Sequence, residues 1–302
     1  MRCYYSDTFV LPLPDAHQFP MTKYRLLREH LLNSGVVASE EMQLPPAATD
    51  TQLMRVHCPH YIQRIQEGTL SRDELRRIGF PWSPQMIERS RRSTGATIAA
   101  SYHALLHRFS ANLAGGTHHA FYDAGQGYCL FNDAVVAARE LQASGRVRQV
   151  AIIDCDVHQG NGTAALVEND PSIFSFSIHC QRNFPLQKQK SDLDIGVERG
   201  ITDEPYLQQL SVGLNMLFER FSPDLIIYLA GADPFENDRL GRLKLTLQGL
   251  RQRDELVFQQ AASRQLPIAV AMAGGYSPRV EEIVEIHAQT IRVGAEMMLG
   301  KS

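Results

Sequence analysis

Four short, almost wholly apolar runs in the second half of the chain leave few folds open: VAIID (150–154), SIFSFSI (172–178), DLIIYLAG (224–231) and PIAVAMAGG (267–275). Each is bounded by Gly, Pro or polar residues, as strands are, and a strand apolar on both sides has to be covered on both faces. Between and after them, 206–221, 246–265 and 279–299 carry apolar residues at helical spacing. Strands of this kind separated by helices predict an α/β fold with a central, mostly parallel β-sheet flanked by helices. In the first half, 20–33, 94–109 and 127–144 also read as helices, the last beginning near Asn132 and Asp133 and ending before Gly145. No repeat or low-complexity segment interrupts the pattern. The loop at 38–51 is the best linker candidate, but it is short and similar composition continues on both sides. Residues 1–302 are therefore expected to form one domain.

Charge and cysteine usage narrow the function classes. Formal net charge is −3 with acidic and basic residues interspersed, which argues against a general attraction to nucleic acid or an anionic membrane. The most basic run, RSRRS at 89–93, reads as the solvated face of a helical stretch. Five cysteines, odd in number and without a CxxC pair, fit free thiols in a reducing compartment better than a disulfide framework. The opening MRCYYSDTF lacks the apolar core of a signal peptide. No run approaches the roughly 18 apolar residues of a membrane span, so a cytoplasmic protein is expected.

In open α/β sheets, sites form beyond the carboxyl ends of the strands. Asp154, Asp156 and His158 stand after the first run, His179 after the second, Asp233 after the third, and Gly274, Gly275 and Tyr276 after the fourth. One Asp after a strand is often only a helix cap. Four strand ends in a row bearing chemically capable groups argue for a site. Asp156, His158 and Asp233 offer two carboxylates and an imidazole, and three ligands with an open fourth position describe catalytic zinc rather than a closed, Cys-rich structural site. An ion there also makes buried carboxylates tolerable. A two-metal hydrolase of the arginase type, which shares this architecture, needs further carboxylates, typically an Asp two residues beyond the His. That position is Gly160, and Asp233 lies between Ala232 and Pro234, so the ligands suffice for one zinc per chain.

GGTHHAF (115–121) adds a histidine pair. Adjacent histidines in a loop say little alone; with a metal site elsewhere they suit amide hydrolysis, which needs a base for the attacking water and an acid for the departing amine. A buried Asp can orient one of them, and Asp154 is the candidate because it is not needed as a ligand. Tyr276, after two glycines that let the backbone turn sharply, can offer its hydroxyl to an oxyanion.

GGTHHAF, GYCLFND, IIDCDVHQGNGT, LAGADPFENDRLG and AGGY stand in the order and spacing found in zinc-dependent histone deacetylases, and the resemblance runs from about Tyr4 through Tyr276 and the helix beyond. The HQGNG form, and NDRLG followed by RDELVF, look most similar to the class IV branch and its bacterial members. The resemblance implies an arginase/deacetylase-like arrangement, zinc on Asp156, His158 and Asp233, His119 as general base, His118 as electrostatic or acid partner held by Asp154, and Tyr276 as the oxyanion-stabilising tyrosine. It further implies that Tyr128, after Gly127, and Phe184 wall an acyl-lysine tunnel to which Leu240, Gly274 and Gly275 also belong. Potassium is implied beneath the zinc, on Asp154, Ser177, Ile178 and the carbonyls of Asp156 and His158. Lys23 stands where many relatives carry an arginine near an internal cavity.

There are departures. Asn161 replaces the aspartate that class I enzymes pair with the second histidine, which lowers the expected basicity of His119. After Phe184–Pro185 the common Gly-Thr-Gly gives way to LQKQKSD, which changes the tunnel rim. Asp73 is a candidate for the rim aspartate that grips the substrate backbone in some relatives. The expected activity is zinc-dependent removal of an acyl group, acetyl or longer fatty acyl, from the ε-amine of lysine in a protein or peptide. Two other readings stay open: deacylation of acetylpolyamines or another acylated small amine, and a scaffold that binds acyl-lysine without cleaving it.

Overall fold

In the computed structural model, which describes residues 1–14 and 17–301, the four apolar runs are adjacent strands of one sheet. The strands are β1 (Cys3–Tyr4), β2 (Met42–Gln43), β3 (Phe109–Asn112), β4 (Val150–Asp154), β5 (Ile173–Cys180), β6 (Leu193–Val197), β7 (Leu225–Leu229) and β8 (Ile268–Ala271). Their spatial order is β2-β1-β3-β8-β7-β4-β5-β6, and every pairing is parallel. The helices are α1 (Thr22–Asn33), α2 (Asp50–Leu53), α3 (Pro59–Glu67), α4 (Arg72–Ile78), α5 (Pro84–His107), α6 (Asp133–Ala143), α7 (Asn161–Leu166), α8 (Asp203–Arg220), α9 (Leu247–Ser263) and α10 (Val280–Leu299).

Alternation along each strand divides the core into two. Ile153, Ile226, Tyr228 and Val270 pack on one face with α1, α8, α9 and α10. Ile152, Ile227, Leu229 and Ala269 pack on the other with α3, α5 and α6. Both faces are thus buried, which is why the strands read as continuous apolar runs rather than alternating ones. The run at 267–275 stays a strand only to Ala271, because Ala273 (φ 55°) and Gly275 (φ 150°) turn the backbone away. Behind β7 lies the buried Arg253–Asp254 pair of RDELVF: Asp254 accepts from Tyr228 and Thr290, both at 2.6 Å, and Arg253 donates to the Gly231 carbonyl.

Four expectations are corrected. Helix α5 begins at Pro84 rather than near residue 94, with the Ser83 hydroxyl accepting from the Met86 amide at 3.1 Å. The RSRRS run therefore lies inside this helix and is not a solvated face. Arg89 is buried with its guanidinium 4.5 Å from the Tyr24 ring centre, Arg91 donates to the Ala48 carbonyl at 2.9 Å and Arg92 to that of Pro45 at 2.8 Å. The run clamps the 38–51 segment, which is therefore no linker, and Met42–Gln43 within it is itself a strand of the sheet. His179 lies within β5, bonded to Ser177 at 3.0 Å, instead of beyond the strand. All five cysteines are free, and among the described residues no helix is long and apolar enough to cross a membrane.

His57 yields a pH-dependent stability. The Asn132 amide donates to its Nε2 at 2.9 Å, so Nδ1 carries the proton and donates to the Phe121 carbonyl at 2.8 Å. Burial pushes this imidazole from 6.5 down to about 4. Between those values the unfolded chain binds a proton there and the folded chain does not, so stability falls as pH drops through the window, by about 1.4 kcal/mol per unit. Denaturant unfolding of His57→Gln across that range is expected to lose this one-proton share of the slope. A slope equal to that of the wild type would show His57 to be protonated when folded.

Candidate active site

Five neighbouring strands, β3, β8, β7, β4 and β5, end along one edge, and the chemically capable residues gather beyond four of those ends. Asp154 closes β4, and the turn that follows carries Asp156 and His158 before α7. Asp233 lies just past β7, and Gly274 to Tyr276 follow β8. GGTHH follows β3, and the pairing of β3 with β8 is what brings the histidines to the edge.

Asp156, His158 and Asp233 are buried, and one ligand atom from each lies within 4.8 Å of the others. His158 Nδ1 is 3.1 Å from Asp156 Oδ1 and 3.3 Å from Asp233 Oδ2. The remaining oxygens of both carboxylates are held by backbone: Val157 N donates to Asp233 Oδ1 at 2.9 Å and Gly274 N to Asp156 Oδ2 at 2.8 Å. A Cβ at Gly274 would stand 2.0 Å from Asp233 Oδ2, so only glycine lets that amide approach. Asp233 Oδ2 is buried without a hydrogen bond. Burial and the neighbouring Asp156 charge push Asp233 up to about 7. An orphaned buried carboxylate oxygen aimed at an imidazole and a second carboxylate is the donor set a divalent cation satisfies.

The histidine pair is asymmetric. His118 Nδ1 is 2.6 Å from Asp154 Oδ2, and its Nε2 is 3.1 Å from Nε2 of His119. His119 Nδ1 is 2.6 Å from Asn161 Oδ1, whose amide nitrogen donates to Gln126 at 2.9 Å. Burial alone would lower His118, but Asp154 and Asp156 outweigh it and raise it to about 9. His119 is driven well below its ordinary value by burial and by the positive charge of His118 and His158. One imidazole is thus charged and the next neutral. Tyr276 is pushed well above the usual phenol range by burial and by Asp156 and Asp233, so it keeps its proton.

His119, His158 and Tyr276 line the inner part of a cavity of about 350 Å³ that Tyr128, Phe184 and Leu240 wall further out. Phe184 stands edge-on to His119, with ring centres 4.9 Å apart. Gly127 (φ 54°) and Tyr128 (φ 67°) are both left-handed, and a Cβ at Gly127 would lie 2.7 Å from His119. Behind the triad is a smaller space of about 50 Å³, bordered by Tyr24, Arg89, Gly274 and Tyr276. The buried Lys23 holds the β8 loop, donating to the Gly275 carbonyl at 3.3 Å, with its ammonium 5.4 Å from the Tyr276 ring centre.

Several positions differ from expectation or were not foreseen. Asp73 is exposed, pairs with Arg76 at 2.9 Å, and is not among the residues lining the cavity. Arg76, Arg77, Asn183 and Arg242 do line it. Asp133, from GYCLFND, receives the Gly116 and Thr117 amides at 3.0 and 2.7 Å and so shapes the GGTHH turn. Asp238, from NDRLG, receives the Tyr276 amide at 2.5 Å. Both lie in motifs already quoted, and an acid inside such a motif is the only signal that could have found them. Across β4 and β5, Asp154 faces Ser177 in register.

Residues 17–291 match the histone deacetylase domain. A match over most of the chain places it in the histone deacetylase family, as a deacetylase-type hydrolase. Among its relatives, an uncharacterized protein of a Picosynechococcus strain is 41% identical over 293 residues, 97% of this chain and 98% of that one. The histone deacetylase-like amidohydrolase of Pseudomonas aeruginosa is 32% identical over 283 residues, covering 85% and 72%. The crystal structure of a homologue from Aquifex aeolicus superposes with a TM-score of 0.85 at 21% identity, covering 100% of this chain and 84% of that one, a likeness of fold.

Proposed function

We propose that this chain is a zinc-dependent amidohydrolase that removes a short acyl group from a primary amine, with the ε-amine of lysine as its principal substrate. The observation that carries the reading is the buried triad with an unbonded Asp233 oxygen, lying beside a histidine pair in which His118 is bonded to Asp154 and His119 to Asn161. Asp156, His158 and Asp233 would hold the ion, which when bound supplies a Lewis acid and a water of lowered pKa. Asn161 keeps the His119 proton on Nδ1, leaving Nε2 as the basic atom that takes a proton from the attacking water. Asp154, 2.6 Å from His118 Nδ1, is the negative group that offsets the charge when a proton enters the His118–His119 pair, whose Nε2 atoms lie 3.1 Å apart; the departing amine takes its proton from this pair. The Tyr276 hydroxyl donates to the oxyanion.

Tyr128 and Phe184 suit an unbranched methylene chain passing between aromatic walls. The small inner space, about 50 Å³ against about 350 Å³ for the outer cavity, supports a short acyl group. A class IV relationship rests on HQGNG and on RDELVF. The register of Asp154 with Ser177 supports a potassium ion beneath the site, with the carbonyls of Asp156 and His158 and with Ile178 completing it.

Amine release from lysine peptides carrying acetyl, octanoyl or myristoyl groups tests the reading. Acetyl cleavage that stops with a chelator and returns with zinc, with longer chains slower, is expected. Zinc-loaded protein that releases no amine from any of them would leave the scaffold reading standing.

A further inference from the structure

The cavity that ends at His119, His158 and Tyr276 opens between Arg76 and Arg77 on one side and Arg242 on another. None of the described residues lining it is an Asp or Glu. The first two arginines occupy the last turn of α4, where a cation also complements the helix C-terminus. That explanation does not extend to Arg242, which stands in a non-helical segment between Asp238 and α9. Local charge does not neutralise the three. Arg76 is held only by the exposed Asp73, a contact of little worth in water. No acidic side chain among the described residues lies within salt-bridge distance of Arg77 or Arg242, and both are exposed. The nearby Asp238 makes no ion pair with them; its oxygens accept from the amides of Leu240, Gly241 and Tyr276. Lys188 adds a further positive charge beside the wall, its ammonium bonded to the carbonyls of Asn183 (2.8 Å) and Pro185 (2.6 Å) on either side of Phe184. Like charges brought together from separate segments around one opening, with only the exposed Asp73 as a salt-bridge partner, repel one another beyond what the end of α4 explains.

We propose that Arg76, Arg77 and Arg242 form a cationic rim that selects acylated amines carrying negative charge close to the amide, above all acyl-lysine flanked by Asp or Glu in a peptide. The proposal deepens the acyl-amine reading above and rests on it. A rim of one sign concentrates ligands of the other and speeds their encounter, and salt weakens both effects. The same rim repels polycationic acylpolyamines and basic tails.

The test uses acetyl-lysine peptides identical except for acidic, neutral or basic flanks, with Kd measured by fluorescence anisotropy on the zinc-loaded protein and kcat/KM by amine release. N-acetyl-4-aminobutyrate and N-acetylputrescine, one an anion and the other a cation, serve as small-molecule competitors. Affinity and kcat/KM are expected to fall from acidic to neutral to basic, by about tenfold overall at low ionic strength. The span should shrink in 0.5 M NaCl, and the order should flatten in the triple Arg76→Gln, Arg77→Gln, Arg242→Gln variant and invert in the corresponding Glu variant. Stronger competition by N-acetyl-4-aminobutyrate than by N-acetylputrescine supports the rim, and if it also outcompetes the acidic peptide the source of the anion is a small acid. Equal affinities for the three flanks, or an order that survives the Gln variant, overturn the rim. An affinity order without amine release would instead sink the catalytic reading and leave the rim in place, since binding and turnover are read separately.

Discussion

Replacing Asp233 by Ala is expected to abolish stoichiometric zinc binding and, with it, turnover. Asp233 contributes the orphaned oxygen of the triad, and no other acidic or imidazole group among the described residues completes a three-ligand set there. Loss of a group that only supports a ligand costs about 10–100-fold in metal affinity, and loss of a ligand itself exceeds that. The variant should nevertheless fold. It removes one of two buried carboxylates that repel each other, and the lost bond from Val157 N is a single backbone contact. Metal content and thermal unfolding with and without zinc separate these effects. The wild type gains about 4 kcal/mol when free zinc is a thousandfold above its Kd, whereas Asp233→Ala should show no zinc-dependent gain. A variant that still binds one ion with wild-type affinity would place the metal elsewhere.

Tyr276→Phe makes the opposite separation. The ring is held by Phe19, Tyr128 and the Lys23 ammonium, at 6.2, 5.9 and 5.4 Å between centres, and these contacts do not involve the hydroxyl. Zinc content and melting temperature should therefore stay at wild-type values. Removing one preorganised donor to a developing oxyanion typically lowers kcat by about 10²–10³, with little change in KM because the ground-state amide needs it less. Retention of kcat within a few-fold would remove Tyr276 from the chemistry. A fall matched by loss of zinc would instead make it part of the metal's support.

Much of the candidate site was legible because the proposed ligands sit at fixed offsets from strand ends. A strand's period of two, or its continuous burial, shows in a few consecutive residues, so Asp156, His158 and Asp233 could be placed at one sheet edge before any coordinates. Short strands escaped for the same reason in reverse. Cys3–Tyr4 and Met42–Gln43 are too brief to display a period, Phe109–Asn112 carries Ser110 and Asn112, and Leu193–Val197 is an edge strand with exposed Asp194 and Gly196. Arg89 does not follow its charge into solvent: it is buried with its guanidinium against Tyr24, a residue of a distant helix.

The sequence by itself determined the α/β class, the parallel sheet and the residue types offered for a metal and for proton transfer, because these depend on local periodicity and on the identity of side chains. Tertiary structure alone decided that β3 lies beside β8 and so delivers the histidine pair to the edge that carries Asp156, His158 and Asp233. It also decided that Asp133 and Asp238 hold the loops carrying His118, His119 and Tyr276, and that Arg76, Arg77 and Arg242 share one opening. These are relations between segments far apart in the chain. What a charge meets in the folded protein is set by which backbones pack together, and no local pattern records that.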